Sequence, residues 1–271
     1  MGTLLLFTLL SSCTPPARTL AARAASLGFA EMVVAGTDFE HVVFRNGVRP
    51  AGVLHVYLDG DGLPGADGHP SLDPTPRHAL VLQLMALESL SSLYLGRPCY
   101  HGRATSTGCR PALWTTARYS EVVVSSMAAA LRRVLAADGV DRVVWIGYSG
   151  GGTLAMLLAP RFPETAGVLT VGANLDVDAW TDHHGYPRLT GSLNPATLPP
   201  LPGQIYQRHY VGSRDVVVPP RVTRRGVTDA TTLFVMPTYT HTCCWEALWP
   251  VVLDELAAAI GTRPAPTAAP R

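Results

Sequence analysis

One serine lies in a pattern that is typical of an enzymatic nucleophile. Ser149 stands between Gly147 and Gly151, after the apolar run 143–146 and before the apolar stretch 154–159. This order predicts a buried strand, a very tight turn and a helix beginning near Gly150, an arrangement called a nucleophile elbow. Such a turn would expose the serine hydroxyl and point unpaired helix N–H groups at any negative charge formed beside it. A glycine-rich turn whose serine only caps the helix is the alternative.

The composition narrows the chemistry that this serine can perform. All 21 residues counted as Lys or Arg are arginine, which excludes a Schiff-base lysine, a Ser-Lys dyad, a Walker-type phosphate loop and a kinase lysine. A serine nucleophile here needs a histidine as its base, and the chain has nine. The formal net charge of +1 provides no basic field for nucleic acid. We expect no nucleic-acid partner, no metal and no organic cofactor.

The pattern of apolar segments predicts the elements that would position the serine. Strands are predicted over 39–44, 53–58, 92–95, 142–146, 167–171, 207–211 and 232–236, and helices over 78–90, 118–137 and 245–260. Strands that alternate with helices predict an α/β domain with a mostly parallel central sheet and helices on both faces. Functional groups collect at the carboxyl ends of such strands. Ser149, Asp215 and His241 each follow a predicted strand.

The chain order serine, aspartate, histidine, together with the elbow, resembles the α/β-hydrolase-fold serine esterases and lipases across about residues 39–260. The resemblance implies that Ser149 is the nucleophile, that His241 is the general base and that Asp215 orients the imidazole. Asp176 and Asp178 are the rival acids. The implied reaction is hydrolysis of a small-molecule or lipid-like carboxylic ester. A serine peptidase, a thioesterase and a non-catalytic exported binding lipoprotein are the alternatives.

The resemblance also implies an oxyanion hole. One donor would be the backbone N–H of Gly150, and the other an N–H from Gly60 or Asp61, after the strand 53–58. Where many esterases carry His-Gly, this chain has Asp59-Gly60-Asp61, and a carboxylate there opposes an oxyanion unless its side chain turns away. Residues 173–203 show no clear period and are expected to form a cap or lid. Candidates for the substrate-pocket wall are Asp59, Arg97, Tyr100, His101, Tyr148 and Trp180.

The two ends of the chain are expected to lie outside the domain. Residues 1–12 are a short apolar run that resembles a secretory signal peptide, and residues 10–13 resemble a bacterial lipobox in which Cys13 is lipidated. We therefore expect export, with the protein secreted, periplasmic or attached to the membrane through Cys13. A tether is predicted over 13–37, the α/β-hydrolase domain over 38–261 and a flexible tail over 262–271.

Four further cysteines, Cys99, Cys109, Cys243 and Cys244, suit an oxidising compartment. They allow three disulfide connectivities, and the sequence does not choose among them. Zinc binding is the less favoured alternative because their spacing fits no usual ligand pattern. The sequence makes no prediction of oligomeric state.

Overall fold

The structure is a computed structural model that describes residues 14–262. The predicted signal segment 1–12, the lipidation candidate Cys13 and residues 263–271 of the predicted tail lie outside this range. None of the helices between residues 14 and 262 combines the length and the apolar character needed to span a membrane.

The described chain has ten strands and seven α-helices, which alternate from α2 onwards after five consecutive strands. The strands are β1 (Ala30–Ala35), β2 (Glu40–Arg45), β3 (Val53–Leu58), β4 (Gly65–Ala66), β5 (His69–Pro70), β6 (Ser92–Leu95), β7 (Arg142–Tyr148), β8 (Thr165–Val171), β9 (Tyr206–Gly212) and β10 (Leu233–Met236). The helices are α1 (Pro16–Ser26), α2 (Leu80–Met85), α3 (Glu121–Asp138), α4 (Gly150–Leu158), α5 (Val177–His184), α6 (Pro220–Arg225) and α7 (Trp245–Ile260).

Eight of the strands form one sheet in the order β1-β2-β6-β3-β7-β8-β9-β10. The pairs β1·β2 and β2·β6 are antiparallel, and every pair from β6 to β10 is parallel. The strands β4 and β5 form a separate small hairpin. The predicted α/β class with a mostly parallel sheet is therefore confirmed.

Helices cover both faces of the sheet, which explains why its central strands are continuously apolar. All six residues of β3 are buried. The helices α3 and α4 pack on one face through Leu131 and Leu154, and α1, α2 and α7 pack on the other through Leu20, Leu82 and Trp249. The parallel strands β3, β7, β8 and β9 consequently end at one edge of the sheet, where their connecting loops meet.

The tether predicted over 13–37 is wrong for most of its length. Residues 16–26 form α1, which begins at a proline and buries Leu20 and Ala24. Residues 30–35 form the edge strand β1, in which only Val34 is buried. An edge strand with one buried side chain carries little of the apolar alternation that marks a strand in a sequence, and α1 has only two buried positions.

Candidate active site

The segment around Ser149 is the sharp strand-to-helix turn that its glycines predict. Ser149 joins β7 to α4 with φ +52° and ψ −125°, a left-handed conformation that non-glycine residues rarely adopt. A Cβ on Gly147 would collide with the backbone of α4, and one on Gly151 would collide with the carbonyl of Leu58. The two glycines are thus required by close backbone approach, and the turn presents the serine side chain to the cavity above the sheet.

The structure brings Ser149, His241 and Asp215 into one hydrogen-bonded row. His241 Nε2 lies 3.1 Å from Ser149 Oγ, and His241 Nδ1 lies 2.8 Å from Asp215 Oδ2. A carboxylate only accepts hydrogen bonds, so Nδ1 carries the proton and Nε2 is left to accept the hydroxyl proton of Ser149. The backbone of His241 is held by Trp245, whose Nε1–H donates to the His241 carbonyl at 3.0 Å. This geometry is that of a serine, a base and an orienting acid.

Asp215 is fixed by its second oxygen. Its Oδ1 accepts the backbone N–H groups of Val217 and Val218 at 2.9 and 2.8 Å, and the side chain is 0% exposed. One carboxylate therefore organises the turn before α6 and bonds His241 at the same time. The rival acids are occupied elsewhere, because Asp176 caps α5 through the Ala179 N–H and Asp178 pairs with Arg188.

The loop after β3 lies against the elbow, with Gly60 facing the Cβ of Ser149. The Gly60 N–H donates to its neighbour's carboxylate, Asp59 Oδ1, at 2.7 Å. By contrast, the N–H groups of Gly150 and Asp61 donate to no acceptor within residues 14–262. Of the two residues predicted for the second oxyanion donor, Asp61 therefore keeps a free N–H and Gly60 does not.

The carboxylate of Asp61 is enclosed by cationic and hydroxyl donors. Oδ1 accepts from Arg97 Nη2 at 2.8 Å, Oδ2 accepts from Arg118 Nη1 at 2.8 Å, and the Tyr119 hydroxyl lies 2.7 Å from both oxygens. Burial alone would raise the pKa of Asp61, but Arg97 and Arg118 lower it below its ordinary value. A Cβ on Gly150 would collide with this carboxylate and with the Tyr119 hydroxyl. Glycine at 150 thus lets the Asp61 cluster, defined as Asp61, Arg97, Arg118 and Tyr119, pack over the elbow.

Sequence reasoning missed Arg118 and Tyr119, which lie just before α3. They lie 57 and 58 positions from Asp61 in the sequence, so no local pattern predicts the contact. The one available signal is electrostatic. A buried carboxylate after an apolar strand needs cationic or hydroxyl partners from elsewhere in the chain.

A cavity of about 890 Å³ opens above Ser149 and His241. Of the residues predicted for its wall, Asp59, Tyr148 and Trp180 line it. The hairpin β4–β5 forms another part of the wall, which the sequence showed only as a loop. Residues 173–203 contribute Trp180 from α5, and its Nε1–H donates to the Val217 carbonyl at 2.9 Å. That this segment acts as a lid stays a prediction.

The other three predicted wall residues, Arg97, Tyr100 and His101, lie outside the cavity lining, in contrast to the prediction. Arg97 and Tyr100 are buried beneath it, where the Tyr100 hydroxyl donates to the Asp61 carbonyl at 3.0 Å. His101 packs against Tyr94, and burial lowers its pKa to about 4. The segment carrying them supports the loop after β3 from behind.

Burial also acts on Asp59, a carboxyl group in the cavity wall. The pKa of Asp59, which is 6% exposed, is raised to about 7 by burial, against the effect of the Gly60 N–H and of Arg97.

A second histidine–serine contact joins His41 Nε2 to Ser126 Oγ at 2.9 Å. Both of these residues are 0% exposed and neither lines the cavity, so this pair belongs to the core.

The cysteines pair as Cys99–Cys109 and Cys243–Cys244. The first bond joins two positions of the long segment after β6, and the second lies just beyond His241. Among residues 14–262, no group of three or more His, Cys, Asp or Glu side chains is arranged to hold a metal ion.

No protein-family model and no curated protein sequence matches the chain. Solved structures do resemble it. A serine hydrolase without a lid from Xanthomonas campestris has a TM-score of 0.54 at 13% identity and covers 86% of this chain and 94% of its own. The chain has the α/β-hydrolase fold. An esterase from Pyrococcus furiosus has a TM-score of 0.58 at 12% identity over 86% of this chain and 91% of its own. A hormone-sensitive lipase from a metagenome library has a TM-score of 0.54 at 17% identity, with coverages of 93% and 94%.

Proposed function

We propose that this α/β-hydrolase-fold protein is a serine hydrolase that cleaves carboxylic esters through an acyl-enzyme on Ser149. The observation that carries the proposal is the row Ser149–His241–Asp215 at a cavity, with distances of 3.1 and 2.8 Å. An ester is the favoured bond because two of the solved structures that share the fold are named as an esterase and a lipase.

In the first half of the reaction, His241 Nε2 takes the proton of the Ser149 hydroxyl while Oγ bonds to the ester carbonyl carbon. The buried carboxylate of Asp215 holds the Nδ1–H and stabilises the imidazolium that forms. The carbonyl oxygen becomes an oxyanion, which accepts the N–H of Gly150 at the start of α4 and the N–H of Asp61. Each such donor contributes about 3 kcal/mol to the transition state.

The intermediate then collapses, the bond to the alcohol oxygen breaks, and the imidazolium returns its proton to that oxygen. The alcohol leaves, and the acyl group remains on Ser149. In the second half a water molecule gives a proton to His241 Nε2 while its oxygen bonds to the acyl carbon. The bond between that carbon and Ser149 Oγ then breaks, Oγ takes the proton back from the imidazolium, and the carboxylic acid leaves. His241 thus accepts one proton and returns one proton in each half of the reaction.

Labelling with a fluorophosphonate probe tests the proposal directly. We expect wild-type protein to be labelled at Ser149 and to hydrolyse short p-nitrophenyl esters, and Ser149→Ala to lose both activities. Ser126→Ala is the matched control, because Ser126 also contacts a histidine but lies in the core. Labelling of the Ser149→Ala protein, or turnover that survives the substitution, would refute the assignment.

We also propose that the protein is exported. Its support is the apolar run before Cys13 and the pairing of the other four cysteines. Mass spectrometry of the mature protein is the test: an acylated N-terminal Cys13 supports lipidation, and an intact Met1 contradicts it.

A further inference from the structure

Arg118 has one guanidinium nitrogen that the protein does not use. Its Nε–H donates to the Thr115 carbonyl at 2.6 Å, and Nη1 donates to Asp61 Oδ2 at 2.8 Å. Its Nη2 donates to no acceptor within residues 14–262. The side chain is only 10% exposed, and it lines the same cavity as Ser149 and His241. The cavity wall therefore holds a fixed guanidinium with a free donor.

The charges around Arg118 do not balance. Asp61 is one ionised carboxylate between two guanidinium groups, and the side chains of Arg97, Asp61 and Arg118 are 5%, 15% and 10% exposed. Asp59 is not a full counter-charge at neutral pH, because burial raises its pKa to about 7. A mostly buried positive charge without a partner is costly. An anion in the cavity beside Arg118 would offset that cost.

Four further acidic, basic or imidazole side chains of the cavity lining, besides His241, are exposed. Asp67 and His69 stand on the exposed hairpin β4–β5, and Arg77 and His78 follow it as exposed residues. Arg77 forms no ion pair within residues 14–262. The approach to Arg118 therefore carries one arginine and one aspartate, so the preference for an anionic substrate depends on Arg118 itself.

We propose that Arg118 binds a carboxylate carried by the substrate, so that the esters cleaved at this site bear a negative charge within reach of the cavity wall. A guanidinium whose other nitrogens are already held loses little entropy on binding and presents its donor in a fixed direction. Arg118 lies next to Asp61, which packs over Gly150, so the bound carboxylate lies close to the reacting carbonyl. This inference rests on the proposed function, because it names the substrate class of that site.

Paired esters test the inference. We would compare mono-p-nitrophenyl glutarate with p-nitrophenyl pentanoate, which places the charge in the acyl part, and 4-carboxyphenyl acetate with phenyl acetate, which places it in the alcohol part. For at least one pair, Arg118→Gln should lower the anionic-to-neutral ratio of kcat/KM by about 10- to 100-fold, the range expected for a charged hydrogen bond. Using the ratio cancels any loss that both esters share when Asp61 loses a partner.

Arg133→Gln is the matched control, because it removes an exposed arginine of α3 that does not line the cavity. If Arg118→Gln changes neither ratio more than Arg133→Gln does, the inference is wrong. Arg118→Lys, which keeps the charge but loses the planar fork, should give an intermediate ratio.

A binding measurement separates this inference from the proposed chemistry. In the Ser149→Ala protein, calorimetry should show that glutaryl-p-nitroanilide binds more tightly than pentanoyl-p-nitroanilide, and that adding Arg118→Gln removes the difference. Equal binding of the two anilides overturns binding of a carboxylate in the acyl part of the substrate. Equal binding of N-(4-carboxyphenyl)acetamide and N-phenylacetamide overturns binding of a carboxylate in the alcohol part. Ester turnover by Ser149→Ala would instead refute the nucleophile and leave these binding results valid.

Discussion

Replacing Asp61 by asparagine tests whether the Asp61 cluster holds the proposed second oxyanion donor, the Asp61 N–H, in place. The change keeps the volume of the side chain but removes the carboxylate that pairs with both Arg97 and Arg118, each 2.8 Å from it. Breaking a buried ion pair by removing one partner costs about 3–5 kcal/mol of stability. If the loop shifts and the Asp61 N–H leaves the oxyanion position, kcat should fall by about 10²–10³.

The two effects are measured separately, by urea unfolding and by steady-state hydrolysis of p-nitrophenyl butyrate. We expect Asp61→Asn to lower kcat much more than it changes KM, because the donor acts on the transition state. Glu121→Gln is the control for loss of an arginine–carboxylate pair, since Glu121 pairs with Arg161 at the surface and is 62% exposed. That substitution should cost at most about 1 kcal/mol.

A folded Asp61→Asn protein with wild-type kcat would refute this reasoning, because the loop would then be held without the ion pairs. Should Asp61→Asn fail to fold, Tyr119→Phe provides the same test with a smaller change. It removes one hydroxyl that lies 2.7 Å from both carboxylate oxygens and leaves the charges in place. We expect a several-fold lower kcat in a folded protein, and an unchanged kcat would contradict the role of the cluster.

Three further substitutions have defined outcomes. Asp59→Asn should remove a pH dependence of the protein's stability. The pKa of Asp59 is raised from 3.8 to about 7, so between these pH values the folded state holds a proton that the unfolded chain has released. Wild-type stability therefore falls as the pH rises through this range. The wild-type Tm should therefore drop by several degrees more between pH 5 and pH 8 than that of Asp59→Asn, and equal drops would contradict the shift. Replacing Cys99 and Cys109 by serine opens a loop with a sequence separation of 10. The free energy of unfolding in urea should fall by about 3 kcal/mol. An unchanged value would show that the bond does not constrain the unfolded chain. Gly150→Ala should abolish most ester hydrolysis, because the added Cβ would displace the Asp61 carboxylate. Gly203→Ala should leave the activity intact, because a Cβ there meets nothing within 4 Å. Equal activity of the two proteins would contradict the close packing at the elbow.

Prediction from the sequence succeeded for features that are determined by consecutive residues. The apolar run 143–146, the glycines and Ser149 specify a buried strand and a turn without room for side chains, and the structure has both. The mostly parallel sheet follows from strands that alternate with helices. Failure came where the local pattern is faint, as in α1 and β1, whose few buried side chains made residues 16–35 look like a tether.

The sequence by itself determined the fold class, the elbow and the order of Ser149, Asp215 and His241 along the chain, because hydrophobic periodicity and turn glycines act over a few neighbouring residues. Only the tertiary structure decided which side chains meet: that His241 lies between the other two, that Asp61 rather than Gly60 keeps a free N–H, and that Arg118 reaches Asp61 across 57 residues. These contacts depend on how the loops at one edge of the sheet converge. Long-range packing and the need to neutralise a buried charge select them, and neither leaves a pattern in adjacent residues.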